Sequence, residues 1–406
     1  MATVRPLDRF ETLFTRIGNY GPDTAEYEGV IDELALSSAY SALCACHPVL
    51  AGQIRRSQSH YEIAVPAANS NQIITLEGDE DTLRRQLLSI RESSNCYDCS
   101  KLIHIRGDHW GLLSLVIHHA IADYKALGTY FNKLWQLYTD IYKHGKTEIE
   151  CTSSLPRSFL ELWTERYQDG SLSPTRTPLR QPGIPEKNGI YLQRTVRLSQ
   201  TETSHVLASS RTYNVSVHGI VCGAILIALR ELHDGDDPAK MECHSVVDLR
   251  NRVNPPVGAT ETTNFDGLHV AELEVSPQDS IIALAEDLNR QLMTALDSPN
   301  SILTVAERGR FIETPIEDHL SPILVSNGGV VPELETPPGV RILDRLKGFL
   351  GGAPAPFSTP TYAVLTHLDR LKIIGWYPSG YFTEEDLSMI TDRIIHLLRQ
   401  LPGDHE

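Results

Sequence analysis

An apolar run, Leu112, Leu113, Leu115, Val116 and Ile117, ends at two adjacent histidines, His118 and His119, and Asp123 follows four residues after the second. Ala126, Leu127, Phe131 and Leu134 then recur at helical spacing. A short apolar run closed by polar residues reads as a buried strand, and the later periodicity as an amphipathic helix starting near Asp123. The pattern puts an imidazole at a strand end, beside a turn that an aspartate shapes.

The same reading extends along the chain. RPLDRFETLF mixes apolar and charged positions as a short strand or helix would, and Leu34, Ala39, Tyr40 and Leu43 share one face of a helix over Ile31–Cys46. That helix stops at His47-Pro48, because the residue before proline is pushed out of helical geometry. Tyr61–Val65 and Ile73–Leu76 are expected strands, Asp81–Ser89 a helix, and Leu102–Arg106 with Trp110–Ile117 a hairpin around Gly107-Asp108. Tyr124–Tyr142 continues as a long amphipathic helix, and the Pro, Gly, Ser and Thr-rich stretch Gly170–Gly189 reads as a connection between lobes.

The second half opens with a strand over Tyr191–Leu198 and a helix from Ser199, with Glu202 as capping-box partner. YNVSVHGIVCGAILIALREL is apolar on nearly every side, as a buried helix would be. Strands follow at Cys243–Leu249, Leu268–Val275 and Pro322–Val325, with a helix over Ile281–Leu296. The Pro/Gly-rich residues 330–358 hold one apolar segment, Val340–Leu350, a candidate lid or crossover. Strands at Thr361–His367 and Leu371–Tyr377 and a helix over Thr383–Leu401, capped by Thr383, complete the reading.

Composition narrows the function classes. A chain of 406 residues has room for two domains or one large two-lobed fold. Its formal net charge of -16 argues against a general nucleic-acid binder, which needs clustered Lys and Arg. The amino terminus lacks a signal-peptide layout, and Val217–Leu229 is too short to span a bilayer. Seven cysteines, an odd number, fit free thiols in a reducing compartment, so a cytoplasmic protein is expected. Cys96 and Cys99 form a lone C-x-x-C, read as two incidental thiols rather than a zinc or redox pair.

Neutral imidazole has a pKa near working pH and can take a proton from an attacking hydroxyl or amine. A bare pair of histidines with a nearby aspartate also describes a capped turn beside a structural histidine. No Cys or Glu stands nearby at zinc-like spacing, so no metal is expected.

HHxxxD at His118–Asp123, DLRNR at Asp248–Arg252 and SNGG at Ser326–Gly329, in that order, resemble the chloramphenicol acetyltransferase-like acyltransferases. SNGG is similar to the Ser-Asn-x-Gly of the mycocerosyl-transferase branch, and ALSSAYSALCACHPVLAGQIRR to a helix, His-Pro-x-Leu and turn common in the superfamily. DLRNRVNPP resembles plant BAHD text, although Thr263 rather than glycine precedes Asn264 and the D-F-G-W-G loop is missing. The resemblance implies an α/β fold of two lobes, each a mixed sheet flanked by helices, with an active-site tunnel between them; the lobes are expected over residues 1–180 and 181–406.

It further implies an O-acyltransferase with His119 as general base, moving an acyl group from acyl-CoA to a hydroxyl of a small, secondary metabolite. An acyl-phosphopantetheine donor on a carrier protein, or an amine acceptor, is the alternative, and a non-catalytic binding protein on the same fold a third reading. Neither a bound cofactor, a membrane nor a second subunit is expected. Asp123 would orient the motif loop by pairing with Arg250, or else Arg252, and His118 would support the site. Ser326, Asn327 and Asn264 are expected near the substrate or oxyanion. Tyr124 stands where relatives carry glycine, so the helix should start directly after Asp123 with the ring near a tunnel mouth.

Overall fold

The computed structural model describes residues 3–16, 18–57, 60–66, 73–90, 96–147, 154–167, 190–233, 235–298, 302, 322–348 and 359–402. The expected connection at Gly170–Gly189 lies outside them. Two compact units are formed: residues 1–168, 250–265 and 332–352 make the first, and residues 169–249, 266–331 and 353–406 the second. The first unit therefore recovers two segments from the later part of the chain.

The first unit holds two sheets. Its five-stranded sheet has the order β13 (Arg341–Lys347), β2 (Tyr20–Glu28), β8 (Trp110–His118), β7 (Ser100–Arg106), β5 (Ile73–Glu77). β8 is its central strand, antiparallel to β2 and β7, so its apolar run is buried on both faces. A four-stranded sheet runs β1 (Thr3–Pro6), β4 (His60–Val65), β3 (Gln53–Ser57), β6 (Cys96–Asp98). Helices α1 (Arg9–Arg16), α2 (Glu33–Cys46), α3 (Glu80–Leu88), α4 (Tyr124–His144) and α5 (Phe159–Arg166) accompany them. Asp32 caps α2 by accepting from the Leu34 and Ala35 amides, which starts the helix two residues later than periodicity suggests. α4 ends where Gly145 takes a left-handed φ of 69°. His47 packs edge-on to Tyr130, and the buried Cys99 thiol is pushed up in pKa by burial.

The second unit carries one six-stranded mixed sheet, β11 (Asp266–Val275), β10 (Ala239–Asp248), β12 (Ile323–Val330), β14 (Thr361–His367), β15 (Arg370–Pro378), β9 (Tyr191–Arg197). β12 is parallel to β10 and β14, and the other pairings are antiparallel. Its core packs α6 (Gln200–Thr212), α7 (Val217–Arg230), α8 (Ile281–Leu296) and α9 (Glu384–Arg399) with the sheet. The expected capping box of Ser199 with Glu202 is present, and Thr383 makes a second one with Asp386. α7 is buried along nearly its whole length, as its apolar sequence requires. Among the described residues no single helix is long and apolar enough to cross a membrane.

The apolar segment expected as a lid or crossover contains β13, an edge strand of the first unit's sheet. Apolar burial alone does not hold it there. Arg345, fully buried, makes a bidentate pair with both Asp23 oxygens at 2.8 Å, and Lys347 Nζ lies 3.3 Å from Asp23 Oδ2. The Arg345 guanidinium also lies over the Phe131 ring of α4, at 4.9 Å. On α4, Gly128 leaves room for the ammonium: a Cβ there would sit 2.4 Å from Lys347 Nζ. Burial pushes the Lys347 pKa down, Asp23 opposing and Arg345 adding to the shift.

One buried carboxylate thus serves two buried cations, and deleting it removes a charge partner from both. Asp23→Asn is expected to cost about 3–5 kcal/mol of unfolding free energy, read by guanidinium titration. A loss below about 1 kcal/mol would mean that water or another group compensates the two cations.

Candidate active site

β8 delivers the motif. Its last residue, His118, lies cross-strand from Tyr20 and is wholly buried. The rings of Tyr20 and Tyr97 pack against it at 4.8 and 5.1 Å. The Ala120 amide donates to His118 Nδ1 at 3.1 Å, so Nδ1 is the unprotonated nitrogen and the proton sits on Nε2. Burial, with His119 adding to it, pushes the His118 pKa down to about 3. His118 is a neutral packing residue.

His119 receives the opposite treatment. Its amide donates to the Asn19 carbonyl at 2.8 Å, and its half-buried ring stacks on Phe14 of α1 with centroids 4.5 Å apart. Nδ1 lies 2.9 Å from the Ala122 carbonyl, which can only accept, so Nδ1 carries the proton. Nε2 is left with its lone pair, and no described residue hydrogen-bonds to it. The Asn264 amide nitrogen is 3.3 Å from Nδ1 and 3.4 Å from the His119 carbonyl. Two donors cannot satisfy one another, so the amide is assigned to the carbonyl. Burial lowers the His119 pKa, partly offset by the Ala122 carbonyl and the charge of Asp123. The ring is a neutral base with its acceptor nitrogen unoccupied.

Asp123 is the N-cap of α4 and is buried. Its Oδ1 accepts from the Ala126 amide at 2.9 Å. Its Oδ2 accepts from the Phe265 amide at 2.8 Å and pairs with Arg250 Nη2 at 2.7 Å. Arg250 is itself buried in a short 3-10 turn, whereas Arg252, two residues on, is exposed. Of the two candidate arginines, the structure brings Arg250 to Asp123.

The segment of residues 250–265 is fastened along its length. The Arg157 carbonyl accepts from the Thr262 hydroxyl at 3.0 Å and the Thr263 amide at 3.3 Å, and Arg166 of α5 pairs with Glu261. Thr263 donates its hydroxyl to Glu11 of α1 at 2.6 Å. Phe265 packs on Phe159 and Trp163, with centroids at 4.8 and 6.1 Å.

Tyr124 begins α4 directly after its cap, as the missing glycine predicts. Its ring lies 4.0 Å from Lys347 Nζ, and its buried hydroxyl has no hydrogen-bond partner among the described residues. The phenol is thus turned onto the buried cation cluster within the first unit. Ser326 and Asn327 belong to the second unit and lie inside β12, not in a turn after it. Strand alternation sends consecutive side chains to opposite faces. Ile323 and Val325 belong to the core with the helices, so Asn327 shares their face and Ser326 takes the other. The ladder shifts register after Asn327, whose Oδ1 accepts from the Gly329 amide at 2.9 Å.

Sequence reasoning missed Phe14, Glu11, Thr263 and the Ala122 carbonyl. Nothing in RFETLF marks a ring or a carboxylate destined for a site more than a hundred residues away. The Ala122 carbonyl had one readable cue, its place three residues after His119 in the turn before Asp123.

Residues 187–374 match the family described as phthiocerol/phthiodiolone dimycocerosyl transferase C-terminus. The phthiocerol/phthiodiolone dimycocerosyl transferase of Mycobacterium ulcerans (strain Agy99) is 27% identical, covering 100% of this chain and 98% of the relative. That of Mycobacterium leprae (strain TN) is 27% identical over 84% of this chain and 85% of its own. Among solved structures, polyketide synthase associated protein 5 from Mycobacterium tuberculosis has a TM-score of 0.80 at 24% identity, covering 98% of both chains. The trichothecene 15-O-acetyltransferase from Fusarium sporotrichioides has a TM-score of 0.72 at 13% identity, covering 98% of this chain and 95% of its own. The first condensation domain of the CDA synthetase reaches 0.70 at 13% identity, covering 99% and 97%. These solved structures share the fold.

Two measurements test the site's construction. Asp123→Ala and Arg250→Ala should each cost about 3–5 kcal/mol, and the double variant less than their sum by about 1–3 kcal/mol. Strict additivity in a denaturation cycle would show that the two side chains do not interact. Separately, a histidine whose folded pKa is depressed loses stability as pH falls, because the unfolded chain binds the proton first. For His118 the window runs from its ordinary pKa down to about 3, with a slope of up to about 1.4 kcal/mol per pH unit. His118→Asn keeps an acceptor for Ala120 and should flatten the stability profile below pH of about 6.5. Superimposable profiles would mean that His118 is not neutral in the fold.

Proposed function

We propose that this chain, an acyltransferase of the chloramphenicol acetyltransferase-like superfamily of acyltransferases and condensation domains, transfers an acyl group from acyl-CoA to a hydroxyl of a small, secondary metabolite. The observation that carries the reading is the state of His119: Nδ1 is tied to the Ala122 carbonyl, and Nε2 keeps an unoccupied lone pair. Such a nitrogen takes the proton from an alcohol as its oxygen attacks the thioester carbonyl. The tetrahedral oxyanion then collapses, the carbon–sulfur bond breaks, and the leaving thiolate receives the proton from His119. The products are an ester and a free thiol, with His119 neutral again.

No acyl-enzyme is required, so no nucleophilic serine or cysteine is assigned. Asp123 has both oxygens engaged by Ala126, Phe265 and Arg250 and supports the turn rather than relaying a proton. Ser326, whose hydroxyl has no hydrogen bond among the described residues, and the Asn327 amide are the proposed oxyanion donors. Their placement on opposite faces of β12 makes them alternatives rather than a pair.

A second donor is supported by the similarity to a protein named as polyketide synthase associated and to condensation domains. In that reading the thioester arrives on the phosphopantetheine arm of a carrier protein, and the same histidine serves. The two readings separate on the donor alone: thiol release from acyl-CoA with pooled alcohols and amines supports the first. Turnover only with an acyl carrier protein supports the second.

His119→Ala is expected to lower turnover by about 10²–10⁴-fold with the fold intact by circular dichroism. Near-normal turnover would remove His119 from the mechanism. The lowered pKa of His119 also predicts the pH response. The base stays neutral below its ordinary value, so the acid limb of kcat/KM should lie under pH of about 6.5, activity falling only as pH drops through it. An acid limb above that value would contradict a half-buried imidazole whose pKa is lowered.

A further inference from the structure

Glu11 is a carboxylate on the third residue of α1, almost fully buried, and remote in sequence from every motif. Its four acceptor positions are all used. Oε1 accepts from Arg5 Nη2 and from the Thr263 hydroxyl, both at 2.6 Å. Oε2 accepts from the Asp8 amide at 2.7 Å and from Arg5 Nη1 at 3.0 Å. The arrangement costs one buried charge and a partly buried partner, and Arg5 with Asp8 would already neutralise and satisfy a surface carboxylate. What the buried position adds is the reach to Thr263.

Thr263 is fully buried and immediately precedes Asn264 and Phe265. Asn264 donates to the His119 carbonyl, and the Phe265 amide donates to Asp123. One turn along the same helix, Phe14 stacks on the His119 ring. α1 therefore reaches His119 twice, once through a ring and once through Glu11, Thr263 and Asn264. All of these groups lie in the first unit.

We propose that Glu11 and Thr263 are positioning residues for His119: their hydrogen bond sets where Asn264 meets the His119 backbone and Phe14 its ring, and so holds Nδ1 on the Ala122 carbonyl. The inference rests on the reading of His119 as the base. It differs from a purely structural role in one respect. Loosening the bond lets water reach the ring, so the titration of His119 should return toward that of an exposed histidine while the fold persists.

The test uses the full chain and two variants. Thr263→Val removes the hydroxyl but keeps the shape and leaves Glu11 paired with Arg5 and Asp8, whereas Thr263→Ser restores the donor. Carbethoxylation of His119 by diethyl pyrocarbonate, followed across pH by peptide mass spectrometry, reads the ring without any substrate. Thr263→Val should move the His119 midpoint upward and lower kcat about tenfold, with KM changed by less than about twofold. Thr263→Ser should behave as the natural protein does. An unchanged midpoint in Thr263→Val, even with lower thermal stability, would overturn the proposal and leave a structural bond only. Wild-type turnover in His119→Ala would instead defeat the base reading, and the midpoint shift would still decide whether Glu11 and Thr263 position the ring.

Discussion

A buried carboxylate must be neutralised and hydrogen-bonded, and Asp123 meets that requirement with one local group and two from a distant part of the chain. The Ala126 amide comes from the helix that Asp123 itself starts, while Phe265 and Arg250 arrive from a segment more than a hundred residues later. The same side chain therefore ends a turn, begins α4 and anchors residues 250–265. The histidines preceding it inherit their geometry from that anchorage. Both oxygens are spent on these contacts, which hold the turn in place.

The two adjacent histidines show how little chemistry depends on residue type alone. The short turn after β8 offers His118 Nδ1 an amide hydrogen and His119 Nδ1 a carbonyl oxygen. An amide can only donate and a carbonyl only accept, so the two rings are held in opposite tautomers. His118 keeps its proton on Nε2, against aromatic neighbours. His119 keeps its proton on Nδ1 and presents an accepting Nε2. Burial lowers both pKa values, that of His118 to about 3.

A second buried ionic cluster repeats the logic of Asp123 at the crossover strand. Asp23 in β2 holds Arg345 and Lys347 of β13, just as Asp123 holds Arg250. In both cases a later stretch of chain is docked on the first unit by a directional contact, which selects one register where apolar packing would tolerate several. Tyr124 links the two clusters, being the first residue of α4 and lying over Lys347. Directly after the motif aspartate, this chain puts a ring over a buried ammonium.

Local signals made much of this architecture legible. The apolar run of β8, the cap and period of α4, the Ser199 box and the all-round apolar face of α7 were readable because each depends on residues within a turn or two of one another. The motif histidines, Asp123, Arg250 and Asn264 were nameable for the same reason, with resemblance supplying their expected roles. The tertiary structure alone decided everything carried by contacts between distant segments. β2 escaped notice because YGPDTAEYE carries Gly, Pro and Asp, and only burial of Asp23 against Arg345 explains an acidic residue in an interior strand. The return of residues 250–265 and 332–352 to the first unit, the stacking of Phe14 on His119 and the reach of Glu11 to Thr263 leave no periodic trace. A hydrogen bond between residues hundreds of positions apart imposes no spacing on either neighbourhood, so composition and period determined the elements while folding determined which of them met.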